Sequence, residues 1–180
     1  TTPAERRDLA LLLVMRDLLA RRSEAVALVV EDVTWATDGS ATVLIRRSKT
    51  DPTGQGEVRW LSPRTVVRLQ AWLDAAGITA GPLFRTVNKG GAVGGPLAGG
   101  DVARILKRLA KRAGLDAERV SGHSCRIGMA QDLVASGAEL PAVMQAGRWR
   151  SPTMPARYAE KLQAGRGAVA RFYSRDGGER

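Results

Sequence analysis

One stretch, Ser121 to Tyr158, gathers the side chains best able to do chemistry. It holds the only histidine of the chain, His123, with Arg126 three residues on. On a helix, residues three apart share a face. Trp149 follows, and Tyr158 lies nine residues beyond it, on what reads as a short helix. A proton carrier, a guanidinium, an indole N–H donor and a phenol suit attack on a phosphodiester and suit few other reactions. Each also has a blander reading. His123 alone fits a helix-start histidine and Trp149 alone fits a core position. Of the two tyrosines, Tyr173 joins Val169 and Phe172 on an apolar stripe and takes the core role, which leaves Tyr158 for chemistry. Cys125 sits beside His123, but two residues apart on a helix they point to different sides, so a Cys-His pair is rejected.

These groups need a scaffold and a partner. A chain of 180 residues, 44% hydrophobic, reads as one domain over 1–180 with a real core. Its net charge of +10 points to a polyanion, nucleic acid first. The plain alternative is a solubility or composition bias. One cysteine and one histidine exclude an internal disulfide framework and a usual structural zinc site, and suit a reducing, cytoplasmic compartment. LALLLVM is short and flanked by charges, so it reads as a buried helix and not a membrane span. No signal peptide is evident. A start at Thr1 without methionine reads as a fragment whose upstream domain is missing.

The local signals predict a mainly α protein with a small three-stranded antiparallel β-sheet (α+β). Thr2, Pro3 and Glu5 form a capping-box helix start. Asp38-Gly39 between Val33–Trp35 and Ala41–Ile45 signals a hairpin, and Glu57–Leu61 a third strand. Ser62-Pro63 opens a helix that Gly77 stops. Residues 86 to 100 are glycine-rich and read as a flexible surface loop, since the Walker ending is missing. Asp101 is the expected cap of an amphipathic helix ending at Gly114. Its polar face carries Arg104, Lys107, Arg108, Lys111 and Arg112, with Asp101 as the sole counterweight. That face reads equally as solvated surface or as a DNA-phosphate face. Further helices are expected from the Ser121 stretch to about Ser136, from Pro141 to Gly147, from Ser151-Pro152 through Tyr158, and over about 164–175.

Arg21-Arg22-Ser23-Glu24, Lys49 after the hairpin, His123-Ser124-Cys125-Arg126, Trp149 and Tyr158 occur in this order. The order, with SGHSCR, MQAGRW and the Trp-to-Tyr spacing, resembles the catalytic domain of the tyrosine recombinase (phage integrase) family over nearly the whole chain. Alone, Arg21 and Arg22 would read as a solvated pair beside a structural Glu24, and Lys49 as surface. The resemblance implies the DNA breaking-rejoining fold and strand transfer through a covalent 3′-phosphotyrosine. Tyr158 would be the nucleophile. Arg21 and Arg126 would grip the non-bridging oxygens with forked, charge-assisted bonds. His123 would be the base or a phosphate donor, Lys49 the general acid, Trp149 an indole donor to the phosphate, and Glu24 a supporting group that orients Arg or His. A phenol ordinarily ionises near pH 10 and needs such help. Neither metal nor ATP is implied, because the phosphotyrosine conserves the bond energy.

The implied partner is double-stranded DNA, with Arg104, Lys107, Arg108 and Lys111 as further contacts. The implied assembly is a homo-tetramer on DNA and a monomer without it. The helix over 164–175 would dock on a neighbouring protomer or fold back on its own core. The family's N-terminal core-binding domain, which closes a clamp around DNA, has no counterpart in these residues. One departure stands out: Ala20-Arg21-Arg22-Ser23-Glu24 occurs where Gly-Leu-Arg is common, which changes the strain at that turn. Two rivals keep the same scaffold. One is a type IB topoisomerase-like or telomere-resolvase nicking-closing enzyme, and the other a non-catalytic DNA-binding module. A basic protein with no DNA function is the third.

Overall fold

The structure, a computed structural model, describes residues 1–46, 56–163 and 173, with the backbone alone over 159–163. The chain forms two compact units, Thr1–Arg126 and Ile127–Arg180. Among the described residues, no helix is long and apolar enough to cross a membrane.

The first unit is built around α1 (Pro3–Asp17), which packs against α2 (Arg22–Ala27), α3 (Pro63–Ala76) and α4 (Gly99–Arg112). The expected capping box starts it: the Glu5 amide donates to Thr2 Oγ1 at 3.2 Å and the Thr2 amide to Glu5 Oε2 at 2.9 Å. Strands β1 (Val33–Trp35), β2 (Ala41–Ile45) and β3 (Glu57–Leu61) form the expected antiparallel sheet in the order β1-β2-β3. Val33 pairs with Val43, and Val43 with Arg59. Gly39, at φ 83°, makes the hairpin turn, a conformation that costs glycine little. On β2, Ala41, Val43 and Ile45 face the core, the alternation a one-sided sheet requires.

Leu11, Val14 and Met15 of α1 meet Leu69 and Trp72 of α3, all with 0% exposure. Each large side chain buried in this way contributes about 1.5–3 kcal/mol. The Trp72 indole N–H donates to the Leu83 carbonyl at 2.9 Å, so the buried ring keeps its polar atom satisfied.

Two expectations need correction. The glycine-rich segment is not a plain loop. It contains β4 (Arg85–Val87) and β5 (Val93–Pro96), paired antiparallel as a second, two-stranded sheet. Asn88 makes the turn, its side chain accepting the Ala92 amide at 2.9 Å. A Cβ on Gly94 would meet Thr86 Oγ1 at 2.6 Å, so this glycine permits close strand approach and is not there for flexibility. Second, Asp101 is not the N-cap of α4. Ala98 holds that position, and Asp101, three residues on, reaches back to accept the Ala98 amide at 3.0 Å. An alanine cannot cap with its side chain, so the helix borrows the carboxylate at N3.

Helix α5 (Ser124–Ala135) carries the chain from the first unit into the second, which continues with α6 (Leu140–Gly147) and α7 (Thr153–Gln163). Gly137, at φ 93°, follows α5 as expected. The Thr153 amide donates to Ser151 Oγ at 3.2 Å at the start of α7, and Pro155 falls within its first turn, where no amide partner is needed. The helix expected over 164–175 lies outside the described residues except for Tyr173. That residue is 70% exposed, so the core role assigned to it is not what the structure shows.

Candidate active site

In the first unit, Arg21 is the N-cap of α2 and Glu24 sits one turn on. Glu24 is buried and holds Arg21 twice: Oε2 accepts the Arg21 amide at 2.8 Å and Oε1 accepts Nη1 at 2.6 Å. The pair fixes both the backbone and the side chain of Arg21. Ser121 organises the other half. Its hydroxyl accepts the His123 amide at 3.2 Å, its carbonyl accepts the Ser124 amide at 3.1 Å, and its amide donates to Ser124 Oγ at 2.9 Å. His123 therefore precedes α5, with its ring exposed, while Arg126 lies within the helix and is buried to 5% exposure. The helix-face argument linking them does not apply, because His123 is outside the helix.

One contact ties the two arginine segments together. Arg126 Nη1 donates to the Leu19 carbonyl at 2.6 Å, across 107 positions of chain. Leu19 is buried and adopts a left-handed backbone, φ 44°, two residues ahead of Arg21. A leucine there stores roughly 1–2 kcal/mol of strain that a glycine would avoid. The Leu19–Ala20 turn thus sets the direction of Arg21 and anchors Arg126.

In the second unit, Tyr158 lies half-buried in the middle of α7. Its ring stands edge-on to Trp149, centroids 6.1 Å apart at 62°. Its carbonyl accepts from Gln131 Nε2 of α5 at 3.4 Å. Trp149 is placed by the end of α6, where its amide donates to the Met144 carbonyl at 3.0 Å. A Cβ on Gly147 would overlap the Trp149 ring, so the glycine is required for the indole to lie there. Arg148, between them, was not singled out from the sequence. It is buried, at φ 57°, and ends α6 in the left-handed conformation usually left to glycine. The sequence signal was an arginine between a helix-stopping glycine and a tryptophan. Lys49 lies outside the described residues.

The α4 cations are balanced more fully than composition indicated. Arg104 pairs with Asp101, Lys107 Nζ with Glu118 at 3.0 Å, Arg108 with Asp8, and Arg112 Nη1 with Glu5 at 2.8 Å. Asp101 is therefore not the sole counterweight. The other acids come from α1 and from the short 3₁₀ turn at Ala117–Arg119, invisible to a reading of the helix alone. Asp8 is buried and also takes Arg7 Nη2 at 2.6 Å. Among the described residues, Lys111 is the one α4 cation outside such a pair.

Cys125 is buried, which pushes its thiol up from 9.0 to about 11 despite the opposing charge of Arg16. The neutral thiol is thereby favoured, and the stability linked to it is present below pH 9.0 and lost as pH rises toward 11. The thiol should react with iodoacetamide at pH 8 about a hundredfold more slowly in the folded protein than in denaturant. Equal rates, followed by mass spectrometry, would contradict the burial.

The sequence model described as the phage integrase family matches residues 1–164. The chain belongs to that family. Recombinase cre of Escherichia phage P1 is 28% identical over 181 residues, covering 92% of this chain and 52% of that protein. The integrase/recombinase xerD homolog of Selenomonas ruminantium is 32% identical over 148 residues, 78% of this chain and 43% of its own length. The chain thus spans about half the length of these relatives. Among solved structures, the XerH site-specific recombinase bound to palindromic difH substrate superposes with a TM-score of 0.71 at 20% identity, over 94% of this chain and 47% of that one. The XerA recombinase gives 0.69 at 18% identity, over 99% and 62%. The fold of this phage integrase chain is that of the tyrosine recombinase catalytic domain, mainly helical with small antiparallel sheets.

Proposed function

We propose that this chain is the catalytic domain of a site-specific DNA recombinase that cuts and rejoins double-stranded DNA. The observation that carries the reading is the Leu19 turn, which Arg126 anchors and from which Arg21 emerges under the grip of Glu24. Two charge-assisted forks meeting at one buried turn suit a phosphoryl transition state, where charge builds on the non-bridging oxygens.

Tyr158 attacks the phosphorus, and its hydroxyl proton passes to His123. The bond from phosphorus to the 5′-oxygen breaks, and Lys49 protonates the leaving 5′-oxygen to give a free 5′-hydroxyl. A 3′-phosphotyrosyl link remains, which a 5′-hydroxyl of another strand reverses to rejoin the DNA. Arg21 and Arg126 hold the oxygens, Trp149 donates its indole N–H, and Glu24 acts as the positioning residue for Arg21. The α4 face, with Arg104, Lys107, Arg108 and Lys111, adds outer phosphate contacts. The exposed pairs of Arg104 and Lys107 are worth about 0–1 kcal/mol each, so DNA can exchange them. The assembly on DNA is a homo-tetramer, and the free chain is a monomer.

The XerH structures solved with difH substrate, before and after cleavage, support DNA as the partner. The test is incubation with nicked duplexes carrying candidate recombination sites, in EDTA and without ATP. A denaturing gel should show a covalent protein–DNA adduct, mapped to Tyr158 by mass spectrometry. An adduct on another residue, or none on any site that the protein binds specifically, would sink the reading.

A further inference from the structure

Arg22 is a cation that the catalytic scheme does not use, yet its side chain is positioned. Its stem lies between two glycines brought together by the fold. A Cβ on Gly122 would meet Arg22 Cδ at 3.3 Å and Arg22 Cβ at 3.7 Å, and one on Gly99 would meet Arg22 Cγ at 3.9 Å. Gly122 is buried and immediately precedes His123, while Gly99 opens α4. The stem is therefore held against the His123 turn on one side and the start of α4 on the other. Any side chain at Gly122 would press on it.

The head of Arg22 differs from those of the neighbouring cations. Arg21 is paired with Glu24, and four cations of α4 are paired with acids. Arg22 is exposed and makes no ion pair or hydrogen bond among the described residues. Surface arginines commonly pack their stem while the head stays in water; what sets Arg22 apart is where the stem is held, against the His123 turn and the start of α4. The fork has no acid partner among the described residues. Close by lie Arg21, which Glu24 already pairs, and the positive end of the fourteen-residue helix α4, where Asp101 accepts the Ala98 amide.

We propose that Arg22 binds a DNA backbone phosphate next to the one held by Arg21 and Arg126, so that the chain grips adjacent phosphodiesters from one turn. Arg22 is a binding residue and takes no part in proton or phosphoryl transfer. The inference rests on the recombinase reading for the identity of the reacting phosphate, but its own readout needs no cleavage.

The experiment is fluorescence anisotropy with a labelled mixed-sequence duplex over a series of salt concentrations. Arg22→Ala should weaken binding on any sequence and make the plot of log affinity against log salt shallower by about one. Arg22→Lys keeps the charge and should recover most of that slope. Gly122→Ala should weaken binding by displacing the stem, and should add no further loss in the Arg22→Ala background. An unchanged slope in Arg22→Ala, or losses from the two changes that simply add, would overturn the proposal. A changed slope in Arg22→Ala, together with no adduct from the wild type, would keep this contact and remove the cleavage reading. An adduct with an unchanged slope would do the reverse.

Discussion

Tyr158→Phe should yield a folded protein that binds DNA and forms no covalent adduct. The change removes one hydroxyl, which makes no hydrogen bond among the described residues. The ring keeps its edge-on contact with Trp149, and the contact from Gln131 reaches the main-chain carbonyl, which phenylalanine also has. Stability should therefore stay within about 0.5 kcal/mol of the wild type by urea titration. Affinity for duplex DNA should stay within a factor of two or so, since a phenol is a minor partner for phosphate beside charged forks. Adduct formation on a nicked substrate, by contrast, should fall below detection, by at least about 10⁴-fold, because no other nucleophile replaces the lost oxygen. Cys125 cannot step in, since burial keeps its thiol protonated. A residual adduct in the Phe variant would move the nucleophile elsewhere. Relaxed plasmid without recombinant product in the wild type would keep Tyr158 and favour a nicking-closing enzyme.

What the sequence disclosed was what depends on neighbours in the chain. The capping box at Thr2 and Glu5 and the Asp38-Gly39 hairpin involve residues a few positions apart, so their chemistry shows in the letters. The order of Arg21, His123, Arg126, Trp149 and Tyr158 was legible for another reason: it is the order in which the resemblance to the phage integrase family sets these residue types. What stayed hidden depends on long closures. The Arg126 contact to Leu19 spans 107 positions and ends on a carbonyl, which no sequence pattern marks. The strained φ of Leu19 is hidden for the same reason, since leucine advertises no left-handed turn. The α4 charges were misjudged because Asp8 and Glu5 come from the far end of the unit, Asp8 being 100 positions from Arg108. The glycines of residues 86–100 were taken as flexible because composition cannot tell a mobile glycine from one that lets Thr86 close on Gly94.

The Arg126 contact also makes a demanding prediction. Arg126→Lys keeps a positive charge at a buried position, so a role limited to net charge would survive it. The arginine fork carries five donors in a fixed plane, and the Leu19 carbonyl takes one of them. A lysine has three donors at a single point on a flexible stem. It cannot hold the turn and present a planar pair to phosphate at once. Adduct formation should therefore fall by about 10²–10³-fold, the usual cost of one preorganised donor to a developing anion. The loss should appear in the rate at saturating DNA more than in the DNA concentration for half-maximal rate, because the bonds tighten most in the transition state. Arg126→Ala separates the structural share: it leaves the buried Leu19 carbonyl without this donor and should cost a further 1–3 kcal/mol or so of folding stability, read by urea titration. If the lysine variant cleaves within about threefold of the wild type, Arg126 serves the Leu19 turn alone, and the grip on the phosphate must come from Arg21 and the groups around it.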